Sequence, residues 1–252
     1  MIEKRFQQIV NEDNNMIKHY PFDELGKASH GWLTSSHHFS FADYYNPARM
    51  GFGTLRVIND DWVKPNTGFP THAHRNMEII SFIRSGAITH KDSKGNKGLT
   101  PVGEVQVMSA GTGISHSEYN LSKEPLTFYQ IWIEPNKHNV EPRWESNLYS
   151  KDGDNNELPL IVSGYPEDKN EALYINQLAR IYGGKLKKGV QYIQNIDHQM
   201  YVLASSGKIK VSDNKTSIVM HKGDGAEVTE QKLITIEVLE DSEFILIDAP
   251  AH

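Results

Sequence analysis

Short apolar and aromatic runs alternate with turn residues along most of the chain. From Trp32 onward, runs such as residues 79–83 are bounded by Gly, Pro, Asn and Asp, with turns at Ser85 and Gly86 and again at residues 92–96. A short apolar run between turn residues is typical of a buried strand, and a succession of such runs favours a sandwich or barrel over alternating strands and helices. We therefore predict an all-β fold.

The pattern of one hairpin recurs in the C-terminal half of the chain. Residues 201–209, with the sequence YVLASSGKI, resemble residues 80–88, with the sequence ISFIRSGAI. The Lys-Gly-Asp tripeptide at 222–224 likewise resembles the Val-Gly-Glu tripeptide at 102–104. An internal repeat of this kind indicates two similar structural units, so we predict two barrels packed together.

The repeat and the composition suggest domain boundaries. We predict a polar N-terminal lead-in with a short helix or turn over residues 1–28, an N-terminal barrel over 29–145 and a C-terminal barrel over 146–252. Small, polar and charged residues cluster at 150–157, which makes this the most linker-like stretch of the chain.

Composition and charge exclude several classes of function. The 252 residues contain 38% hydrophobic and 23% charged side chains, which is ordinary for a globular protein. The net charge of −6 argues against an electrostatic surface for nucleic acid, and the absence of Cys removes disulfides, thiolate metal sites and cysteine nucleophiles. The N-terminal residues lack the apolar core of a signal peptide, and no run approaches the ~18 apolar residues of a membrane span. We expect a soluble cytoplasmic protein that contacts neither membrane nor nucleic acid directly.

Two short motifs carry the candidate chemistry. His72 and His74 form a His-x-His pair, and His116 and Glu118 form a His-x-Glu pair. Because side chains alternate faces along a strand, each pair places two groups that can bind a metal on one face. Three imidazoles and one carboxylate can hold a first-row transition metal and leave coordination positions free. The motifs therefore predict a reactive metal centre.

The C-terminal copy of the repeat has lost these ligands. Alignment of Gly207 with Gly86 puts Ile193 and Asn195 at the positions of the His-x-His pair. Alignment of Gly223 with Gly103 puts Ile236 and Val238 at the positions of the His-x-Glu pair. We therefore predict a metal site in the N-terminal barrel alone.

The segments around the motifs resemble the paired motifs of the cupins, and their sequence resembles the pirin family, especially the bacterial pirin-like quercetinases. The resemblance is specific across about residues 29–135 and weak in the C-terminal half. It is carried by Gly31-Trp32, Ser36 to Phe41, Tyr44-Tyr45, Gly51-Phe52, Leu55 to Asp60, His72 to Arg75, Glu78, His90 to Ser93 and Val105 to Ile114. It implies a bicupin of two antiparallel jelly-roll barrels with one metal ion bound by His72, His74, His116 and Glu118.

The chain departs from the general cupin pattern in three places. Gly68 lies four rather than six residues before the first motif histidine, and Ser109 stands where a proline is expected. General cupins take their carboxylate ligand from the first motif, which is Glu78 here, whereas pirins take it from the second, which is Glu118. Glu78 lies an even number of positions after His72 and His74, so on a continuous strand it would point to the same face. We therefore interpret it as a group that orients a metal ligand or an incoming donor. The reverse assignment, with Glu78 as ligand and Glu118 as support, remains an alternative.

The resemblance implies a metal-dependent dioxygenase that opens the heterocycle of flavonols such as quercetin. Fe(II) is the first expectation for the metal, while Mn, Ni, Cu, Zn and Co stay open because imidazole and carboxylate suit several of these ions. The partners would be a flavonol or related aromatic substrate and dioxygen, with Glu118, or alternatively Glu78, as the catalytic base. The alternative function is that of a pirin-type regulatory protein whose metal-containing domain binds a transcription or metabolic partner.

Several further residues are candidates for a cavity wall or for simple packing. Adjacent strand residues face opposite ways, so we expect at most one of His37 and His38 to reach the cavity entrance. Arg75 is predicted to be a salt-bridge partner and His138 a solvated loop residue. The aromatic side chains that either form a flat cavity wall or pack in the core are Trp32, Phe39, Phe41, Tyr44 and Tyr45.

Overall fold

Strands dominate the part of the chain that the structure describes, residues 16–149 and 156–252, in this computed structural model. In the first of these ranges the strands are β1 (Ile17–Tyr20), β2 (Gly26–Ser29), β3 (Leu33–His37), β4 (Leu55–Val63), β5 (Thr67–His74), β6 (Glu78–Ser85), β7 (Ala87–Asp92), β8 (Lys97–Pro101), β9 (Glu104–Ser109), β10 (Ile114–Asn120), β11 (Leu126–Ile133) and β12 (Arg143–Leu148). In the second they are β13 (Leu160–Ser163), β14 (Leu173–Tyr174), β15 (Arg180–Leu186), β16 (Gln191–Asn195), β17 (Gln199–Ser206), β18 (Lys208–Ser212), β19 (Ser217–His221), β20 (Gly225–Val228), β21 (Leu233–Val238) and β22 (Ser242–Ala249). Short 3₁₀ turns lie at Phe22–Glu24 and Pro166–Asp168.

These strands form two barrels, each made of a seven-stranded and a four-stranded sheet. The N-terminal barrel has the orders β12-β9-β6-β11-β4-β3-β2 and β5-β10-β7-β8. The C-terminal barrel has the orders β1-β20-β17-β22-β15-β13-β14 and β16-β21-β18-β19. This architecture confirms the predicted all-β bicupin. No helix within the described ranges is long and apolar enough to span a membrane.

The seven-stranded sheets are buried on both faces, which explains the nearly continuous apolar run of β6. Ile80 and Phe82 point towards the C-terminal barrel and pack in a cluster that also contains Tyr201 and Ile245. The intervening Ser81 points into the N-terminal barrel, where its hydroxyl donates to Gln130. A strand with two buried faces does not show the apolar and polar alternation of a half-exposed strand. The core therefore continues from one barrel into the other.

The structure differs from the predicted lead-in. Within residues 1–28, β1 pairs with β20 of the C-terminal barrel, and the chain then crosses to the N-terminal sheet through β2, which pairs with β3. Sequence analysis missed β1 because three of its four residues are polar or aromatic, and Ile17 alone is fully buried. At the other predicted boundary, β12 continues past residue 145. Residues 1–15 and most of the linker-like stretch, 150–155, lie outside the described residues.

A buried polar cluster also joins the two barrels. The Arg49 guanidinium forms a salt bridge with Glu227, donates to the His38 carbonyl oxygen at 3.0 Å and lies 3.5 Å from the ring centroid of Tyr20. The Nδ1 atom of His38 is hydrogen-bonded to the Tyr201 hydroxyl at 2.9 Å. Burial, reinforced by the positive charge of Arg49, lowers the pKa of His38 to about 3. His38 is therefore a neutral component of the barrel interface.

This neutral imidazole predicts a loss of stability in acid. Between about pH 6.5 and pH 3 the unfolded chain protonates His38 while the folded chain does not, so the free energy of unfolding falls as pH decreases through this window. The contribution reaches about 1.4 kcal/mol per pH unit. Denaturant unfolding of the wild type and of His38→Asn at several pH values should show a shallower acid slope for the variant. Parallel slopes would contradict the assignment.

Candidate metal centre

The three motif histidines converge because β5 and β10 are neighbouring strands. His72 pairs directly with His116, and their ring centroids lie 4.5 Å apart. His74 is 4.8 Å from His72 and 5.0 Å from His116, again between ring centroids. One nitrogen from each ring lies within 4.8 Å of the other two. A direct cross-strand pair plus the next residue on the same face thus brings three imidazoles together.

Glu118 enters the same interior next to His116. Opposite these two residues β5 holds one extra residue, as in a β-bulge, because His116 pairs with His72 whereas Glu118 pairs with Phe69. The Glu118 carboxylate accepts hydrogen bonds from the side-chain amides of Gln106 and Gln130, the latter at 3.0 Å. Burial raises the pKa of Glu118 to about 7, although these two amides oppose the shift. Glu118, His116 and His90 form a second group with ligand atoms within 4.8 Å of one another.

His90 is a member of the site to which sequence analysis gave no role. It lies opposite Glu118 on β7, is completely buried and is hydrogen-bonded through Nε2 to Asp92 at 3.0 Å. Its ring stacks on Trp144 at 4.9 Å between centroids. The signal that was available is the spacing of His90 and Asp92, which places both side chains on one face of a strand.

The residues present fit a divalent metal ion. Burial and the neighbouring imidazoles lower the pKa of His116 to about 2 and that of His74 to about 4, so both rings are in the neutral form that binds metals. His72 Nδ1 is held by the Pro70 carbonyl oxygen at 2.8 Å, which leaves Nε2 free to coordinate. Both ring nitrogens of His116 are buried without a hydrogen-bond partner. Buried polar atoms are normally partnered, and a bound cation would provide a partner for one of these two nitrogens.

A cavity of about 310 Å³ opens beside the imidazoles. His72, His74 and Glu118 line one part of it. The rest of the wall combines polar side chains with aromatic rings. They include Ser35, His37, Asn59, Asp61, Gln130, Phe41, Tyr44, Phe69 and Trp132. Sites for small organic ligands have this combination of flat apolar walls and a few placed polar groups.

Two members of the predicted aromatic wall, Phe41 and Tyr44, line the cavity. The other three lie elsewhere. Trp32 packs edge-on against Phe69, Phe39 is buried against Tyr201, and Tyr45 is 71% exposed. Strand alternation separates the adjacent histidines as expected, because His37 lines the cavity whereas His38 lies in the barrel interface.

Glu78 lies on the opposite face of its sheet, away from the cavity. Its carboxylate accepts hydrogen bonds from Ser109 at 2.7 Å and from Asn176 of the C-terminal barrel at 3.1 Å. The parity argument was wrong because the chain turns at Asn76, which has a φ of 47°, between β5 and β6. Counting odd and even positions shows which face a side chain points to within one strand, but the count does not continue into the next strand across such a turn. Glu78 therefore joins the two barrels.

Two loop residues complete the predicted set. The Arg75 guanidinium, predicted to form a salt bridge, donates a hydrogen bond to the neutral side chain of Asn139 at 3.1 Å. His138 is exposed, as expected for a solvated loop residue.

The C-terminal barrel is apolar where the N-terminal barrel holds its histidines. The sequence alignment was one residue out of register on β16, because Ile193 and Asn195 point outwards. Tyr192 pairs with Ile236 and is the counterpart of His72, and Gln194 is the counterpart of His74. Ile236 and Val238 are buried in the apolar core of this barrel, as expected. Among the described residues, both clusters able to hold a metal lie in the N-terminal barrel.

Comparison with known proteins identifies the family. The Pirin family model matches residues 19–133, and the model described as quercetinase C-terminal cupin domain matches residues 160–249. The chain is 46% identical over 236 residues to a pirin-like protein of Caulobacter vibrioides, a match that covers 93% of this chain and 100% of the relative. The chain belongs to the pirin family.

Matches from Escherichia coli extend the comparison. The chain is 40% identical over 231 residues to a protein named quercetin 2,3-dioxygenase, with 90% of this chain and 96% of the relative covered. The crystal structure of the bacterial pirin YhhW in complex with nickel(II) superposes with a TM-score of 0.86 at 38% identity. That match covers 94% of this chain and 100% of YhhW. A pirin of the same fold thus binds a divalent transition metal.

The geometry predicts that metal binding depends on the three clustered imidazoles. We expect about one equivalent of divalent metal per chain, and a loss of more than about tenfold in metal affinity for His72→Ala or His116→Ala. His138→Ala, which removes an exposed loop histidine, is the matched control and should keep full occupancy. Elemental analysis after dialysis gives the stoichiometry, and circular dichroism checks the fold.

Each barrel has its own apolar core, so these variants should stay folded. Global unfolding of His72→Ala or His116→Ala would indicate a structural metal instead. A second bound equivalent that survives both substitutions would contradict the assignment of a single site in the N-terminal barrel.

Proposed function

We propose that the chain is a metal-dependent dioxygenase that opens the heterocycle of flavonols such as quercetin. The observation that carries this proposal is the cluster of three imidazoles, His72, His74 and His116, beside a cavity that the buried Glu118 carboxyl group and several aromatic rings also line. The name of the E. coli relative, quercetin 2,3-dioxygenase, supports the same substrate class.

His72, His74, His116 and Glu118 would hold the metal ion. Imidazole suits several first-row ions, and a carboxylate oxygen shifts the preference towards harder ones, so Fe(II) is our first choice. Nickel(II), which is bound in the YhhW structure, and Mn, Cu, Zn and Co are the other candidates. When bound, the metal supplies Lewis-acid stabilisation of negative charge on a substrate oxygen.

The aromatic side of the cavity suits a planar substrate. The Trp132 ring stands edge-on to His74 with 5.0 Å between centroids, and Phe69 is fixed by edge contacts with Trp32 and Phe128. Such rings bury the faces of a flat ligand and exclude water from the reacting atoms. A planar flavonol would therefore be held with its polar edge towards the imidazoles.

Glu118 is the candidate base for the 3-hydroxyl proton of the flavonol. Gln106 and Gln130 hold its carboxylate in one orientation, and burial brings its pKa close to neutral pH. Efficient proton transfer requires a base within hydrogen-bond distance and with a pKa near the working pH. Glu78 lacks the first property, because its carboxylate is bound to Ser109 and Asn176 on the other face of the sheet.

The proposal predicts coupled consumption of quercetin and dioxygen. Metal-loaded protein should remove both together, while chelator-treated protein and His74→Ala should not. A flavone that lacks the 3-hydroxyl should be a poor substrate, because it cannot present the same anionic oxygen to the metal. Loss of flavonol absorbance and an oxygen electrode measure the two substrates in one sample.

Equal turnover of a flavone and its matching flavonol would contradict a mechanism that depends on the 3-hydroxyl. A lack of turnover with every divalent metal tested would refute the enzymatic proposal and favour the regulatory alternative, in which the same site serves a protein partner.

The role of Glu118 predicts a separate effect of Glu118→Gln. This variant keeps the shape of the side chain but cannot accept the proton, so kcat should fall by about 10²-fold or more. Metal content is measured on the same preparations, so that loss of the ion is distinguished from loss of the base. Full turnover in a metal-loaded Glu118→Gln variant would exclude Glu118 as the base.

A further inference from the structure

Asp61 is a buried carboxyl group on the cavity wall that the chemistry described above does not use. It lies on β4, is 3% exposed and lines the cavity together with His72, His74 and Glu118. Its Oδ1 atom has no hydrogen-bond partner. Among the cavity-lining side chains that the structure describes, the Trp132 Nε1 donor is the other buried polar atom without a partner, so Asp61 supplies the unpartnered acceptor.

The position of Asp61 is costly for a charged side chain. β4 is a central strand, so that Ser35 of β3 and Phe128 of β11 flank Asp61 on either side. Burial raises the pKa of Asp61 to about 7; the Ser35 hydroxyl opposes this shift, and the nearby carboxylates of Asp60 and Glu118 add to it. A buried carboxyl group without a cationic partner usually costs stability, which points to a use in ligand binding.

The neighbouring polar groups on this wall are already engaged. The Nδ1 atom of His37 is hydrogen-bonded to Asn59 Oδ1 at 2.7 Å. Gln130 accepts from Ser81 and donates to Glu118. These bonds fix the wall around Asp61, whose Oδ1 atom is left as an unpartnered acceptor on a side chain that lines the cavity.

We propose that Asp61 accepts a hydrogen bond from a hydroxyl group of the aromatic substrate and thereby selects which hydroxylated aromatics the cavity binds. The inference rests on the proposed function for the class of substrate. A site built to bind a hydroxyl group rejects an analogue that lacks it, because the buried acceptor then stays unpaired. Asp61 is thus a specificity-determining residue, separate from the metal ligands and from the base.

The test compares Asp61→Asn and Asp61→Leu with the wild type. Both substitutions keep four side-chain heavy atoms branched at Cγ, and the second removes the acceptor altogether. Asp60→Asn is the matched control, because Asp60 is the next residue on β4 but forms a salt bridge with Arg84 on the opposite face of the sheet. Circular dichroism and metal analysis should show all three variants folded and loaded with metal.

Binding is measured on metal-loaded protein under argon, where no turnover occurs, by quenching of tryptophan fluorescence. The ligands are quercetin and analogues that each lack one hydroxyl group. The wild type should bind one of these analogues about tenfold or more weakly than quercetin, and Asp61→Leu should abolish that difference. Asp61→Asn should reduce it, and Asp60→Asn should leave it unchanged.

The possible outcomes separate the inference from the proposed function. If Asp61→Leu weakens every ligand by the same factor, Asp61 only supports packing and the inference is overturned. If the wild type binds none of the ligands, both proposals fail. If the wild type discriminates through Asp61 yet consumes no dioxygen with any metal, the inference stands and the dioxygenase proposal fails.

Discussion

Strand register within sheets that are buried on both faces is the constraint on which this molecule depends. On β4, Asp60 forms a salt bridge with Arg84 on one face of the sheet, and Asp61 lines the cavity on the other. On β6, Phe82 packs in the shared core while Ser81 belongs to the polar interior of the N-terminal barrel. A shift of one residue would exchange these roles, so the same pairing that builds the core also aims the functional side chains.

The interior of the N-terminal barrel places polar groups between two apolar clusters. One cluster includes Ile83 and Phe128, the other Met108 and Ile114. Between them, hydrogen bonds link Ser81, Gln106, Gln130 and Glu118, which offsets much of the cost of burying these groups. The C-terminal barrel fills the equivalent space with aliphatic side chains. The N-terminal barrel therefore has polar side chains at the site where the C-terminal barrel has apolar packing.

Local patterns predicted the fold class and the clustering of the motif histidines. The His-x-His and His-x-Glu pairs could be recognised from the sequence because two residues that are two positions apart on one strand point to the same face of the sheet. This rule does not depend on how the other strands are arranged. Glu78 and the C-terminal counterparts Tyr192 and Gln194 were misplaced because they require the register between strands, which a turn such as that at Asn76 resets. The sequence did not point to Asp61 because its burial depends on the neighbouring strands β3 and β11, which only the folded sheet brings beside it.

The crossing of β1 has a consequence for synthesis of the chain. β1 precedes every other strand that the structure describes, yet its partner β20, in which Val228 pairs with Ile17, is one of the last three of these strands to be synthesised. Contacts between such distant segments form only after the entropy of closing a long loop has been overcome. The N-terminal barrel, whose sheets do not include β1, can assemble while β1 is still unpaired, and β1 pairs only after β20 has been synthesised. Pairing of β1 is thereby coupled to synthesis of the C-terminal half.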